Sequence, residues 1–466
     1  MKNGDGDSPA EVSDASSPTN SLKVRDDVKA FRFSQSPSGE FEAVGGELPP
    51  WAGNSFDQVA LRRRIEPWLT SLFQSDHLSL LVGSGLPTGV ARLSGANAAN
   101  MEGGEFQTCG QELSDASKSS ALLAGRDQPN IEDRIRVATQ LLRGLEILGD
   151  ARANDLRDEL SQMLKQFADS ILCAERELME AEPSKRTHAF ATLVSFLMSF
   201  ASRTGNRDRL NIFTTNYDRL IEVGAELAGL HLLDRFVGSV TPMFRSSRLD
   251  LDLHYNPPGI RGEPRFVEGV VRFTKLHGSI DWISKGQAIR RVGIPYGAKI
   301  INPYLEAPGL NGVSANSLMI FPNAAKDRET AEYPYVELFR DFAAAIARPN
   351  STIVTYGYSF GDDHINRVIR DALTIPSTHL VIISFDDKLG RIQQVLEEWG
   401  RRSQVSLLVG PELGNISNLT SQYLPKPSID ATSRRMADLL RHRYGEDNHI
   451  NQSSSGDSSP KPEDGS

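Results

Sequence analysis

Leu210-Asn211-Ile212-Phe213-Thr214-Thr215-Asn216-Tyr217-Asp218 is the stretch on which the reading of this chain turns. Its first half is an apolar run of strand character, and a helix-like stretch follows it. A Thr-Thr-Asn-aromatic-Asp cluster therefore stands where a strand hands over to a helix. In open parallel α/β sheets such handovers line the ligand crevice. The amide of Asn216 suits orientation of a water or a sugar hydroxyl. Asp218 falls in the first helical turn, where a carboxylate is electrostatically favoured. Taken alone, the run is also explained by Thr215 or Asn216 capping the helix.

Outward from this stretch, strand and helix patterns alternate. Strands are predicted at Leu78–Val82, Leu210–Phe213, Val271–Leu276, Leu318–Phe321, Thr352–Tyr356, Leu380–Ile383 and Val405–Val409. Between several of them helices are predicted at Tyr335–Ile346, His364–Leu373 and Leu389–Trp399. Continuous apolar strands separated by helices indicate a mainly parallel sheet covered on both faces. A block of helical periodicity interrupts the alternation: Ile131–Leu148, about Asp155–Leu178 and His188–Phe200. The fold class expected is α/β, a Rossmann-like mainly parallel sheet with an inserted helical subdomain at about 131–203.

Residues 1–50 are rich in Ser, Asp, Gly and Pro, as is the segment from 448 to 466, and both are expected to be disordered tails. The main domain is expected over 51–447. Residues 94–130 are mostly small and polar and read as a flexible insertion. The net charge is −9, which argues against direct nucleic-acid binding as the main activity. Two cysteines, Cys109 and Cys173, are too few for a disulfide scaffold or a four-thiolate zinc site. No apolar stretch is long enough for a membrane span, no signal peptide is visible, and a cytoplasmic location is expected.

Further motifs lie just past predicted strand ends. Gly83-Ser84-Gly85 follows the first strand, where glycines let backbone amides approach a pyrophosphate; alone it reads as an ordinary tight turn. Lys275-Leu276-His277-Gly278-Ser279 places a histidine at a strand end, a candidate base with glycine leaving room for substrate. Gly357-Tyr358-Ser359-Phe360-Gly361-Asp362-Asp363-His364 sets two glycines around Ser359, with Asp362 or Asp363 as cap of the next helix. Ser384-Phe385-Asp386 sits where nucleotide-binding sheets often meet an adenosine ribose, or is a plain turn. The Gly-x-Ser-x-Gly spelling also suggests a serine hydrolase. That reading needs an acid and then a histidine after Ser359, and only His364, His379, His442 and His449 follow it. No Walker-type phosphate loop is present.

In their order these motifs resemble the sirtuin family, and their wording is similar to its bacterial sirtuin-like subfamily of antiviral defence systems. Ser84 and Thr215 stand where the wider family carries Ala and Gln. The resemblance implies an NAD-binding domain and NAD as substrate. The pyrophosphate would lie at Gly83, Ser84 and Gly85, with Gly357 and Ser359 in the facing loop. Thr215, Asp218 and Ser384 would serve cofactor binding, Asn216 would orient water or ribose, and His277 would act as base. The four-cysteine zinc module of deacetylase sirtuins is missing, since no cysteine follows Cys173, so no zinc is expected. This favours outright hydrolysis of the nicotinamide–ribose bond through an oxocarbenium-like state. The subfamily further implies an abortive-infection effector that forms homo-oligomers and pairs with a translocase-type ATPase or a short Argonaute. An NAD-dependent protein deacylase and a non-catalytic NAD or ADP-ribose sensor stand as alternatives.

Overall fold

The structure, a computed structural model, describes residues 19–426 except 37–38, 46–47, 53–55, 100–102, 124–125, 204–206, 247–252, 256–264, 287, 311–316 and 320–332. In chain order it comprises β1 Thr19–Lys23, β2 Phe31–Gln35, β3 Phe41–Ala43, α1 Gln58–Phe73, β4 His77–Val82 and α2 Gly85–Ser94. Four further helices follow: α3 Gly110–Leu123, α4 Ile131–Leu148, α5 Arg152–Glu180 and α6 Pro183–Ala201. Then come β5 Asn211–Thr214, α7 Leu220–Leu227, β6 His231–Leu233, β7 Phe236–Val237, β8 Met243–Phe244, β9 His254–Tyr255 and β10 Arg265–Phe266. The remainder is β11 Val270–Lys275, β12 Trp282–Lys285, β13 Ala288–Arg291, α8 Tyr335–Ile346, β14 Ser351–Tyr356, α9 Asp363–Ala372, β15 His379–Ser384, α10 Arg391–Glu398 and β16 Val405–Val409.

Among the described residues the main sheet has ten strands in the order β3-β2-β1-β16-β15-β14-β4-β5-β11-β6. From β16 to β6 every neighbouring pair is parallel. The apolar strand runs explain why: both faces are covered. Leu80 and Val82 of β4 pack into one core with α1, α2, α6 and α7, whereas Leu81 packs into the opposite core with α8, α9 and α10. Val381 and Ile383 repeat the first choice on β15, and Leu380 and Ile382 the second. The fold is thus the Rossmann-like, doubly covered sheet expected from the sequence. Strand order reverses direction between β4 and β14, which makes their C-terminal ends the switch point of the sheet.

Three expectations need correction. Residues 1–50 are not wholly a disordered tail. Thr19–Ala43 supply three antiparallel strands, and β1 pairs with β16, Ser21 opposite Val409. Averaged composition hid three aromatic residues, Phe31, Phe33 and Phe41, whose rings cluster with those of Trp51 and Phe56 at centroid distances of 5.2 to 6.0 Å. The hairpin also covers what would otherwise be an open parallel edge at β16. Second, the stretch 94–130 contains the helix α3, which buries Leu113, Ser117 and Ala121 at positions four apart. Third, at Leu318–Phe321 a single bridge from Leu318 to Ile283 is seen, and residues 320 and 321 lie outside the described residues. So do the expected C-terminal tail, 448–466, and residues 1–18.

The helical insert has its own core. Ile135, Leu156, Phe167 and Ile171 pack with Tyr217, Ile280, Ile283 and Leu305. Helix α4 begins with a reciprocal capping box, Asn130 accepting from Asp133 N while the Asp133 carboxylate accepts from Asn130 N. Helix α6 departs from the expected insert, because Ala189, Leu193, Phe196 and Leu197 pack in the sheet core.

Candidate active site

A cavity of about 330 Å³ opens at the C-terminal ends of β4, β5 and β14. That volume lies in the range usual for small-molecule sites. Gly83, Ser84, Thr215, Asn216, Asp218, His277 and Ser359 all line it. Four separate strand ends, those of β4, β5, β11 and β14, thus supply one cavity, although they lie far apart in the chain.

The floor is set by two glycine turns that cross at the switch point. Gly85 N donates to Gly357 O at 3.0 Å, and Gly83 N donates to Tyr356 O at 3.0 Å. A Cβ on Gly85 would stand 2.5 Å from Gly357 Cα, and a Cβ on Gly357 would meet Gly85 Cα at the same distance. Neither position tolerates a side chain. Gly85 and Gly357 therefore hold the two loops together and do not themselves line the cavity. Gly83 and Ser84 do, and Ser84 stands at the N-cap of α2 without a side-chain capping bond.

On the β5 side the cap alternative falls to Asp218. Its Oδ1 accepts from Leu220 N at 3.0 Å and closes the start of α7. Asn216 is thereby left for another role. Its Nδ2 donates to Gly83 O at 2.9 Å and its backbone N donates to Thr214 Oγ1 at 3.0 Å. With the amide nitrogen so engaged, Oδ1 is the atom available to a hydroxyl or water. Thr215 N donates to Val82 O at 3.2 Å, which binds this turn to β4.

His277 follows β11, half-buried, with Nε2 at 3.4 Å from Nε2 of His364. The glycine after it serves a different purpose from the one expected. A Cβ on Gly278 would lie 2.0 Å from Met319 O, so this residue admits the neighbouring backbone at Met319 and not a substrate. Lys275, almost fully buried, donates to Asp218 O and pairs with Glu222 Oε1 at 2.9 Å. Its ammonium group ties the histidine strand to the asparagine turn.

Ser359 is exposed to the cavity from the β14–α9 loop. Phe360 beside it takes φ 54°, a left-handed conformation costly for a bulky side chain. Burial of its ring against Tyr358 and Trp399 holds it there. Asp362 occupies the N-cap of α9 without a side-chain capping bond and also lines the cavity. Ser384, like Gly85 and Gly357, is a predicted site residue that does not line the cavity. Its hydroxyl donates to Asp386 O at 2.7 Å.

The insert builds the opposite wall, which sequence reading did not foresee. Phe167, Ile171, Ala174 and Leu178 present one apolar face of α5 to the cavity. Glu132 joins them and accepts from the Tyr217 hydroxyl at 3.2 Å. Burial and the Glu132 carboxylate keep that phenol protonated well above its ordinary range. Deeper, Glu175 of α5 pairs with Arg219 at 2.5 Å and accepts from Arg219 N at 3.0 Å, locking the insert to the asparagine turn. Burial raises the Glu175 carboxyl above its ordinary value, against the pull of Arg219. Among the described residues no group of three His, Cys, Asp or Glu side chains is placed to hold a metal ion.

No curated protein matches the chain. A profile of the family described as the SIR2-like domain matches residues 210–403, which include Asn216, His277 and Ser359 and leave out the Gly83–Gly85 turn and helices α1 to α6. Over this part of the chain a SIR2-like domain is therefore present, and it supports NAD-using catalytic chemistry in the broad sense.

Proposed function

We propose that the chain is an NAD⁺ glycohydrolase that cleaves the nicotinamide–ribose bond to give nicotinamide and ADP-ribose. The observation that carries this reading is the meeting of Asn216 and His277 in one cavity with the Gly83-Ser84 turn and Ser359. Gly83, Ser84 and Ser359 suit the pyrophosphate, with Thr215 and Asp218 on the ribose side. Nicotinamide departs from a cationic pyridinium as a neutral molecule, so no general acid is required. The protein must then exclude bulk water and place one nucleophile. Asn216 Oδ1 orients that water or a ribose hydroxyl, and His277 takes the proton, a contribution of ~10²–10⁴-fold for a placed base. The apolar face of α5 favours an uncharged aromatic leaving group over bulk solvent.

Incubation of the purified, activated complex with NAD⁺, with nicotinamide and ADP-ribose followed by chromatography, tests the reading. Asn216→Ala and His277→Ala should each lower the rate by about two orders of magnitude or more while melting stays near wild type. Near-normal rates in both variants would sink it. Product formation that requires an acylated peptide would favour the deacylase alternative, and binding without turnover the sensor.

A freely active NAD hydrolase would deplete its own cell, so the same reading includes control by assembly. The resemblance to defence effectors supports a cytoplasmic homo-oligomer, held inactive until a partner such as a translocase-type ATPase or a short Argonaute engages it. Light scattering should find a species larger than a monomer, with turnover changing sharply when the partner is added. A fully active monomer, indifferent to any partner, would contradict this.

A further inference from the structure

Two arginines that play no part in the roles assigned above face the same cavity from opposite sides. Arg391 opens α10 after β15, and Arg126 precedes α4 on the insert. Gly361 explains how Arg391 reaches the wall. A Cβ on Gly361 would lie 2.7 Å from Arg391 Nη1 and 3.4 Å from Ser359 Oγ. The second glycine of the Gly-Tyr-Ser-Phe-Gly run is therefore a seat for a guanidinium group beside the Ser359 hydroxyl. Arg126 is anchored along one edge, Nη2 donating to Asp133 Oδ2 at 2.6 Å, and its Nε is buried with no hydrogen-bond partner among the described residues.

The two cations feel each other. Burial first, and then the positive charge of Arg126, hold Arg391 below its ordinary value, although Asp362, Tyr358 and Asp363 pull the other way. An anion between the two groups would relieve that repulsion and accept from both guanidinium groups. Planar forks match phosphate oxygens in pairs, which a lone ammonium cannot do. The amides at the start of α10 do not compete for the same anion, because Asp387 already accepts from Ile392 N and Gln393 N.

We propose that Arg391 and Arg126 form a two-guanidinium clamp for a phosphate group of the bound nucleotide, Arg391 from the sheet and Arg126 from the helical insert. This rests on the nucleotide reading above and adds specificity residues to it. The clamp makes the ligand a bridge between insert and sheet. Arg126 lies outside the matched SIR2-like segment, residues 210–403, whereas Arg391 lies within it.

Calorimetric titration of the full chain with ADP-ribose, NAD⁺, NADP⁺ and phosphate-free adenosine tests the clamp without relying on turnover. Arg391→Gln and Arg126→Gln should each weaken ADP-ribose binding roughly 10- to 100-fold, the loss expected for charge-assisted hydrogen bonds, and leave adenosine binding unchanged. Gly361→Ala keeps both charges but displaces Nη1, the end of a flexible side chain. It should weaken ADP-ribose in the same way and add little to Arg391→Gln. Folding is safeguarded in Arg126→Gln because Asp133 keeps Arg136, Ser120 and the Asn130 backbone as partners. Much tighter binding of NADP⁺ than of NAD⁺ in the wild type, abolished by either substitution, would assign the clamp to a ribose phosphate. Equal binding of the two, with both weakened by either substitution, assigns it to the pyrophosphate. Variants that bind ADP-ribose like the wild type overturn the clamp and leave the nucleotide reading standing. A wild-type chain that binds none of the phosphate-bearing probes overturns both.

Discussion

At the scale of single residues, the site depends on a close approach that no side chain can enter. Gly85 and Gly357 touch backbone to backbone where β4 and β14 release their loops. Gly85→Ala forces that contact apart, and overpacking of this kind costs ~1–3 kcal/mol. Urea denaturation should show a loss of that size, with NAD⁺ turnover falling further than stability because Ser84 and Ser359 separate. Unchanged stability would mean the loops have slack that the geometry does not show. Asn216 and His277 were legible in the sequence because each follows an apolar run that could only be a buried strand, and strand ends of a parallel sheet share one edge. The same logic misplaced Ser384, since it gives the edge of the sheet but not the direction of a turn. Arg126, Glu132 and Arg391 were not legible at all. Their place on the cavity wall comes from elements that meet only in three dimensions, and an arginine before a helix carries no local signal.

At the scale of elements, the boundaries of Ile131–Leu148, Tyr335–Ile346 and Val405–Val409 were read directly from periodicity. They have continuous apolar faces that a single helix or strand period accounts for. The β1–β3 hairpin was missed because its strands are short and lie among Ser, Pro and Gly residues, so composition pointed to disorder. Its anchor is tertiary: Phe33 is fully buried, stacked on Phe31 at 5.9 Å and edge-on to Phe41 and Phe56. Phe33→Ala should therefore destabilise the whole domain by about 3–5 kcal/mol. A chemical-denaturation midpoint equal to wild type would show that the hairpin is a decoration. The helical insert has a parallel standing. Through Glu175 and Arg219 it is fastened to the turn that carries Asn216, so it belongs to the cavity wall as much as to the scaffold.

At the scale of the whole molecule, one half-buried histidine sets an acid limit. His379 on β15 meets Ser406 Oγ on β16 at 2.8 Å through Nε2, and Trp68 Nε1 also donates to that hydroxyl at 3.0 Å. The hydroxyl accepts from Trp68 and donates to a neutral imidazole. Burial, with the nearby Lys23 charge, lowers the His379 pKa from 6.5 to about 4. Above pH 6.5 neither folded nor unfolded chain binds this proton, and the contribution is complete. Below 6.5 the unfolded chain takes it up first, so stability is lost as the pH falls toward 4. The loss attributable to this group is of order 3 kcal/mol. His379→Gln should flatten that part of the pH–stability profile measured by thermal melts. Profiles that run parallel from pH 7 to 4 would remove His379 from the account.

The pairing of β1 with β16 has a bearing on how the protein comes into being. The first described strand pairs with β2 at once but finds β16, its link to the parallel sheet, only after Val405–Val409 have been synthesised, and the wall that carries Ser359 emerges just before. A nascent chain on the ribosome thus has the asparagine turn and the histidine long before it has a cavity to put them in. On the proposed NAD⁺-hydrolase reading the chain would stay silent until that wall is made, because a chain truncated before β14 lacks Ser359 and the loop that completes the cavity.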